Sequence, residues 1–257
     1  MTYCVGIEVD EGLVFAADTR TNASLDDVRV HRKLHVFDWP GDRAFVLMAA
    51  GNLATTQLVV SRLRRDADDP QAARSLRTFR HLFEVAGYVG ELLVDSQVKA
   101  RGNDPHEGIS TQATLILGGQ IAGERHGLYM IYPLGNCIAA SPETPYLQIG
   151  ESKYGKPILD RIVRPGTALE DAARCALVSL DSTIRSNLSV GMPIDLALLR
   201  TGDLRISQHM RLDGDTPLYA EIHASWSQRL ENAVRGLPRF PWEPARSDDG
   251  GAAAHAS

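Results

Sequence analysis

Residues 1–20, MTYCVGIEVDEGLVFAADTR, set two short apolar runs side by side, 3–9 (YCVGIEV) and 13–17 (LVFAA), across the link Asp10-Glu11-Gly12. A short link containing glycine closes a hairpin, so the two runs are expected to pair as strands. The pattern repeats at once with 34–38 (LHVFD), the turn Trp39-Pro40-Gly41-Asp42 and 43–49 (RAFVLMA), a second strand-turn-strand unit. Four strands are therefore expected before the first helix.

From Asn52 the period changes. Leu53, Leu58, Val59 and Leu63 fit one helical face, which stops at Arg64-Arg65-Asp66 and Pro70,. A longer helix is predicted over about 71–99, where Leu76, Phe79, Leu82, Val85, Val89 and Leu93 recur at helical spacing,. The sheet signal returns at 111–118, 127–132, 136–140 and 145–149, separated by Gly- and Pro-containing turns,. Helices are predicted over 154–163 and 167–187, the second with Thr167 as N-cap and Glu170 at capping-box spacing,. Strands at 193–199 and 204–208 follow, then an amphipathic helix over 219–236 that packs on the body or on a neighbouring subunit,. Runs of strands and helices that segregate, without βαβ alternation, predict an α+β fold: a four-layer αββα sandwich of two antiparallel sheets. We expect a single domain over 2–240 and a disordered tail over 241–257 (PWEPARSDDGGAAAHAS), rich in Pro, Gly and Ala,.

Composition narrows the function classes. With 44% hydrophobic and 23% charged residues in 257, neither disorder nor a fibrous architecture is indicated. A formal charge of −5 without a basic stripe argues against nucleic acid as a partner,. Cys4, Cys137 and Cys175 lack metal-ligand spacing and read as reduced core thiols of a cytoplasmic protein,. The opening residues have neither the basic segment nor the long apolar stretch of a signal peptide or a membrane span,.

Chemistry is suggested by a few residues in the first third of the chain. Thr2 follows the initiator Met1, and loss of that methionine leaves a hydroxyl and a free α-amine on one residue. Such an amine, with a pKa of roughly 7.7 to 8.0, can accept the hydroxyl proton near neutrality. Asp18, in the run Ala16-Ala17-Asp18-Thr19-Arg20, emerges from an apolar strand and needs a partner,. Lys33 is the candidate. The 27 basic residues include only four lysines (Lys33, Lys99, Lys153, Lys156), leaving 27 − 4 = 23 arginines, yet a lysine stands here beside Arg32. An ammonium is compact and tunable where guanidinium stays protonated, which suits a residue that polarises a hydroxyl. Held by Asp18 and placed beside Thr2, it would lower the pKa of both the hydroxyl and the amine. Ala49-Ala50-Gly51-Asn52 marks a strand running into a helix start, where unpaired N–H groups suit an oxyanion and Gly51 admits a substrate carbonyl.

Other chemistries fit less well. Gly150-Glu151-Ser152-Lys153 would serve as a nucleophile elbow, but Tyr154 stands where the second glycine belongs,. A Cys4–His35 dyad is disfavoured because both residues read as core packing. His31 and His35 are four apart without the helix and glutamate of a zinc motif,. No metal or cofactor is expected. A scaffold subunit that keeps such a fold without catalysis would have no use for Thr2 and Lys33.

The stretches MTYCVGI, FAADTRTNA, RKLHVF, AAGNLATTQ and SLDSTIRSNLSVGMPID resemble the proteasome β-subunit pattern, and most closely that of Anbu, the bacterial ancestral β-subunit family. The resemblance spans nearly the whole chain apart from the tail. It implies an N-terminal-nucleophile αββα sandwich that self-assembles into a ring or spiral and cleaves peptide bonds through an acyl-enzyme. Carried over by residue, Thr2 is nucleophile and base, Asp18 and Lys33 the polarising pair, and Gly51 the oxyanion donor. Ser189 of Ser189-Val190-Gly191 matches a serine of the family pattern. Ser186 stands where those subunits usually carry Asp, and Gly150-Glu151-Ser152 stands where they read Gly-Ser-Gly, so Ser152 and Ser186 are the remaining candidates. The sequence carries no Gly-x4-Gly-Lys-Ser/Thr motif, so any unfolding power would come from a separate ATPase. Relatives encoded beside ATP-grasp and transglutaminase-like proteins imply an unusual peptide or amide as the substrate, which makes a specialised amidase the alternative to a peptidase.

Overall fold

Alternate side chains of the first strand, β1 (Tyr3–Val9), enter two different apolar layers. Tyr3, Val5, Ile7 and Val9 pack with one set of helices, whereas Cys4 faces a second sheet, the period-two alternation of a strand buried on both faces. The computed structural model describes residues 2–22, 28–102 and 110–243. β1 pairs with β2 (Gly12–Asp18), and short strands β3 (Arg20–Asn22) and β4 (Val28–Val30) follow. Next come β5 (Leu34–Trp39), β6 (Arg43–Gly51), α1 (Leu53–Asp68) and α2 (Leu82–Arg101). β7 (Ala113–Ile121), β8 (Gly127–Ile131), β9 (Cys137–Ala139) and β10 (Tyr146–Gly150) lead to α3 (Lys156–Ile162) and α4 (Leu169–Ser186). β11 (Ile194–Arg200), β12 (Gln208–Leu212) and α5 (Pro217–Arg235) complete the order.

Two five-stranded antiparallel sheets result, β10-β1-β2-β11-β12 and β5-β6-β7-β8-β9, with β3-β4 as a separate ribbon. Leu13, Phe15, Val46, Met48 and Ile116 form the apolar layer between the sheets. On the outer faces, α3 and α4 cover the first sheet through Leu159, Ala176 and Leu180, while α1 and α2 cover the second through Leu63, Val85 and Val89. This is the expected αββα sandwich, and among the described residues no helix is long and apolar enough to cross a membrane.

Several local expectations are corrected. Six strands precede α1 rather than four, because the polar ribbon β3-β4 has no apolar run to announce it. The helix expected from 71 begins at Leu82. Residues 71–81 are turns, held by the Arg43 guanidinium donating to the carbonyls of Leu76 (3.1 Å) and Phe79 (2.8 Å), and by the Asp69 carboxylate on the Gln71 amide (2.9 Å). Leu76 joins the helical core from a turn, so its spacing imitates a helix. Thr167 does not cap α4. Its hydroxyl accepts the Arg164 amide, and the Leu169 amide is satisfied by the Glu11 carboxylate at 3.0 Å, a cap from a distant turn that favours the helix dipole. The strand expected at 204–208 lies at Gln208–Leu212. The intervening chain turns through Gly202 and Leu204, both with positive φ, and the Gln120 side chain takes the Gly202 amide at 2.9 Å. The predicted helix over 219–236 is α5, fastened to α4 by Tyr219 and His223, each 2.7 Å from Asp181 Oδ1. Of the tail expected to be disordered, residues 244–257 lie outside the described residues.

Candidate active site

At the end of β2, Asp18 is completely buried and its carboxylate gathers three donors. Lys33 Nζ lies 2.7 Å and the Tyr3 amide 2.9 Å from Oδ1, and the Gly191 amide lies 3.2 Å from Oδ2. Burial raises the Asp18 carboxyl above its ordinary value, and the Lys33 ammonium and the two amides oppose that rise,. Lys33, itself buried, also donates to the Arg20 carbonyl at 2.6 Å. An ammonium has three hydrogens, and among the described residues these two bonds are the ones Nζ makes.

Arg20 has a structural use that the sequence did not disclose. Its guanidinium donates to the Leu188 carbonyl at 2.9 Å and packs under Gly191, where an added Cβ would come within 2.4 Å of it. The same arginine therefore presents its carbonyl to Lys33 and steadies the loop whose amide binds Asp18.

A cavity of about 330 Å³ opens at this end of the sandwich. Thr2, Lys33, Gly51 and Gly150 line it together with Ala49 and Ala50 from β6, Leu53 and Thr56 from α1, and Thr21, His31, Arg32 and His35. Thr2 precedes β1 directly. Its carbonyl accepts the Glu151 amide at 2.7 Å, and Gly150, at φ +83°, lies so close that a Cβ there would stand 1.9 Å from the Thr2 oxygen. A side chain at 150 is thereby excluded. Gly51, at φ +117°, closes β6 against β7, where a Cβ would meet the Gln112 carbonyl at 2.5 Å. The next residue, Asn52, caps α1 by accepting the Thr55 amide at 3.1 Å,.

The structure therefore brings Thr2, Lys33 and Gly51 to one cavity, with Asp18 behind Lys33. The residues that line the cavity do not include the three serines. Ser186 is exposed at the last residue of α4, and Ser189 is half-buried with its amide on Asn187 Oδ1 at 2.9 Å. The Ser152 carbonyl accepts the Lys156 amide at 3.1 Å. In their neighbourhood a different pair is joined: Asn187 Nδ2 donates to the buried Glu151 carboxylate at 3.0 Å. This contact ties the end of α4 to the residue whose amide holds the Thr2 carbonyl. Nothing in the local sequence foretold it, since the two residues are far apart in the chain.

His35 is also corrected. It was expected to pack inertly in the core, but it lines the cavity. Its imidazole is pushed down to about 4, first by burial and then by the electrostatic influence of Arg64, His31 and Arg32, so the ring is neutral near pH 7. Cys4 is fully buried between the sheets, and burial raises its thiol well above the ordinary range, which leaves it unreactive near neutrality. Among the described residues no three His, Cys, Asp or Glu side chains converge to hold a metal ion.

No protein-family model matches the chain. It is 24% identical over 218 residues to a proteasome subunit beta of Haloferax volcanii, a match covering 83% of this chain and 79% of that one. Among solved structures it is similar to Anbu (ancestral beta-subunit) from Yersinia bercovieri, at 42% identity and a TM-score of 0.87, covering 94% of this chain and 100% of that one. It is similar as well to the Anbu complex from Pseudomonas aeruginosa, described as a helical assembly, at 43% identity and a TM-score of 0.88, covering 93% and 98%.

Proposed function

The chain belongs to the Anbu family of proteasome-β-like proteins, and from that premise we propose that it is a threonine-type amide hydrolase whose nucleophile is Thr2, freed by removal of Met1. The observation that carries this reading is the convergence of Thr2, Lys33 and Gly51 on one cavity, with Lys33 held by the buried Asp18. Two hydrogens of the Lys33 ammonium are committed to Asp18 and Arg20. The third is available to the Thr2 hydroxyl oxygen, where positive charge favours the alkoxide.

In the reaction the Thr2 oxygen attacks the amide carbonyl while its proton passes, through a water molecule, to the α-amine of the same residue. The developing oxyanion is met by the Gly51 N–H. Strand alternation supports that assignment. The Ala49 amide donates to Lys33 O (3.0 Å) and the Asn52 amide to Gln112 O (2.9 Å), so the Gly51 amide faces the Lys33 edge,. Continued pairing would set His31 opposite, but the His31 amide has turned away to Thr19 O (2.8 Å). The C–N bond then breaks, the leaving amine takes the proton from the α-ammonium, and an ester remains on Thr2. Water, deprotonated by the same amine, hydrolyses the ester to the carboxylic acid and restores the hydroxyl.

Intact mass provides the direct test. Activity is expected to track the fraction of chains lacking Met1, because a peptide bond to Met1 removes the proton acceptor. Undiminished hydrolysis by a preparation that fully retains Met1 would overturn the mechanism.

We further propose that the protein acts in the cytoplasm as a homo-oligomer. The distal half of α5 and the turn after it expose Leu230, Val234, Leu237, Phe240 and Trp242, an apolar strip suited to burial between copies. A Val234→Glu, Leu237→Glu variant is expected to lower the assembly mass measured by light scattering while the monomer's circular dichroism is kept. An unchanged mass would remove α5 from the contact.

A further inference from the structure

The walls of the cavity beside Thr2 carry an unbalanced charge. Arg32 and Lys33 both reach it, two histidines and two threonines supply further polar groups, and its described lining contains no carboxylate. The Lys33 charge is matched by Asp18 at 2.7 Å. The Arg32 side chain makes no ion pair among the described residues. The acid that senses it, Asp195, is already shared with Arg211 at 3.5 Å.

Resting on the Thr2 reading above, we propose that this cavity prefers substrates with a carboxylate side chain on the residue whose carbonyl is attacked, and that Arg32, flanked by His31 and His35, is the specificity-determining residue. A volume of about 330 Å³ is at the small end of ligand sites, suited to one side chain. Leu53 and Ala49 supply apolar lining for the methylenes, and Arg32 supplies a guanidinium for the carboxylate of a glutamate. A lysine or arginine side chain would meet like charge with no acid to receive it, and a leucine would gain no charge-assisted bond from Arg32, which is exposed,.

His35 lies in the same field. Arg64, His31 and Arg32 act on its ring, and Lys33, with its Asp18 counterion, lines the same cavity. Burial is the main cause of its lowered pKa, and the arginine charges that add to it attract an anion to the space beside the ring.

The test uses peptide vinyl sulfones identical except for Glu, Gln, Leu or Lys next to the warhead, with adduct formation on Thr2 followed by intact mass. The Glu probe is expected to react about tenfold or more faster than the Gln and Leu probes, the scale of one charge-assisted hydrogen bond, and the Lys probe slowest. Arg32→Gln should bring the Glu probe down to the rate of the Gln probe. A faster Leu or Lys probe, or a Glu preference unaltered by Arg32→Gln, would overturn the assignment. Absence of any adduct on Thr2 with all four would overturn the nucleophile reading. In that event the charge preference is still read from Thr2→Ala protein titrated with acetyl-tripeptide amides ending in Glu, Gln or Leu. Binding of the Glu peptide alone should raise the His35 pKa seen by NMR from its value of about 4, and equal response to the three overturns the preference by itself.

Discussion

Replacing Lys33 by methionine is expected to slow amide hydrolysis about a thousandfold, the scale on which positioned electrostatic and proton-handling groups act, and to destabilise the fold by about 3 to 5 kcal/mol. The two losses have separate causes. The first is removal of the cation that lines the cavity together with Thr2. The second follows from Asp18, which is 0% exposed and would keep only the Tyr3 and Gly191 amides as donors. A buried carboxylate stripped of its counterion is far costlier than an absent pair. The double variant Asp18→Asn, Lys33→Met should therefore recover much of the stability in denaturant melts and none of the rate. If that double variant hydrolyses as fast as the unaltered protein, Lys33 is a structural ion-pair partner and the chemistry lies elsewhere. Lys33→Arg is expected to be slow too, because Nζ sits between Asp18 Oδ1 and Arg20 O at 2.7 and 2.6 Å, a space cut for a compact ammonium rather than a planar fork.

The layers of the fold were legible because burial has a period. The alternation of β1, the apolar runs of β2, β6 and β7, and the helical stripe of α4 each state which face is inside,. Thr2, Asp18, Lys33 and Gly51 could be picked out for a different reason: each is a residue type whose chemistry is out of keeping with its surroundings. What could not be read depends on contacts distant in sequence. Turn residues 71–81 imitate a helix because Leu76 is buried from a turn that Arg43 holds. Glu11 caps α4 across more than half the chain. The link from Asn187 to Glu151 joins two loops through side chains that any surface segment carries. The cavity wall escaped as well, since His35 alternates within β5 like a core residue, and only the approach of α1 reveals that it lines a space.

Removing the Thr2 hydroxyl should have the largest effect of any single change. Thr2→Ala is expected to reduce hydrolysis by on the order of 10⁵ or more, as loss of a covalent nucleophile does, while leaving the melting temperature within a few degrees. Thr2 accepts the Glu151 amide through its backbone carbonyl at 2.7 Å, and alanine keeps that bond. Thr2→Ser keeps a hydroxyl on the same carbon as the amine and should retain measurable turnover and an acyl-enzyme mass. The pair of variants separates two meanings of position 2. Were the residue only a strand-end packing element, alanine and serine would behave alike and both would remain active. Were the amine alone the catalyst, as a base for water, Thr2→Ala would keep its rate and no ester adduct would ever be seen on the serine variant. A Thr2 nucleophile requires the sharp split, alanine dead and serine alive, because nucleophile and base occupy one residue and only the hydroxyl differs between the two proteins.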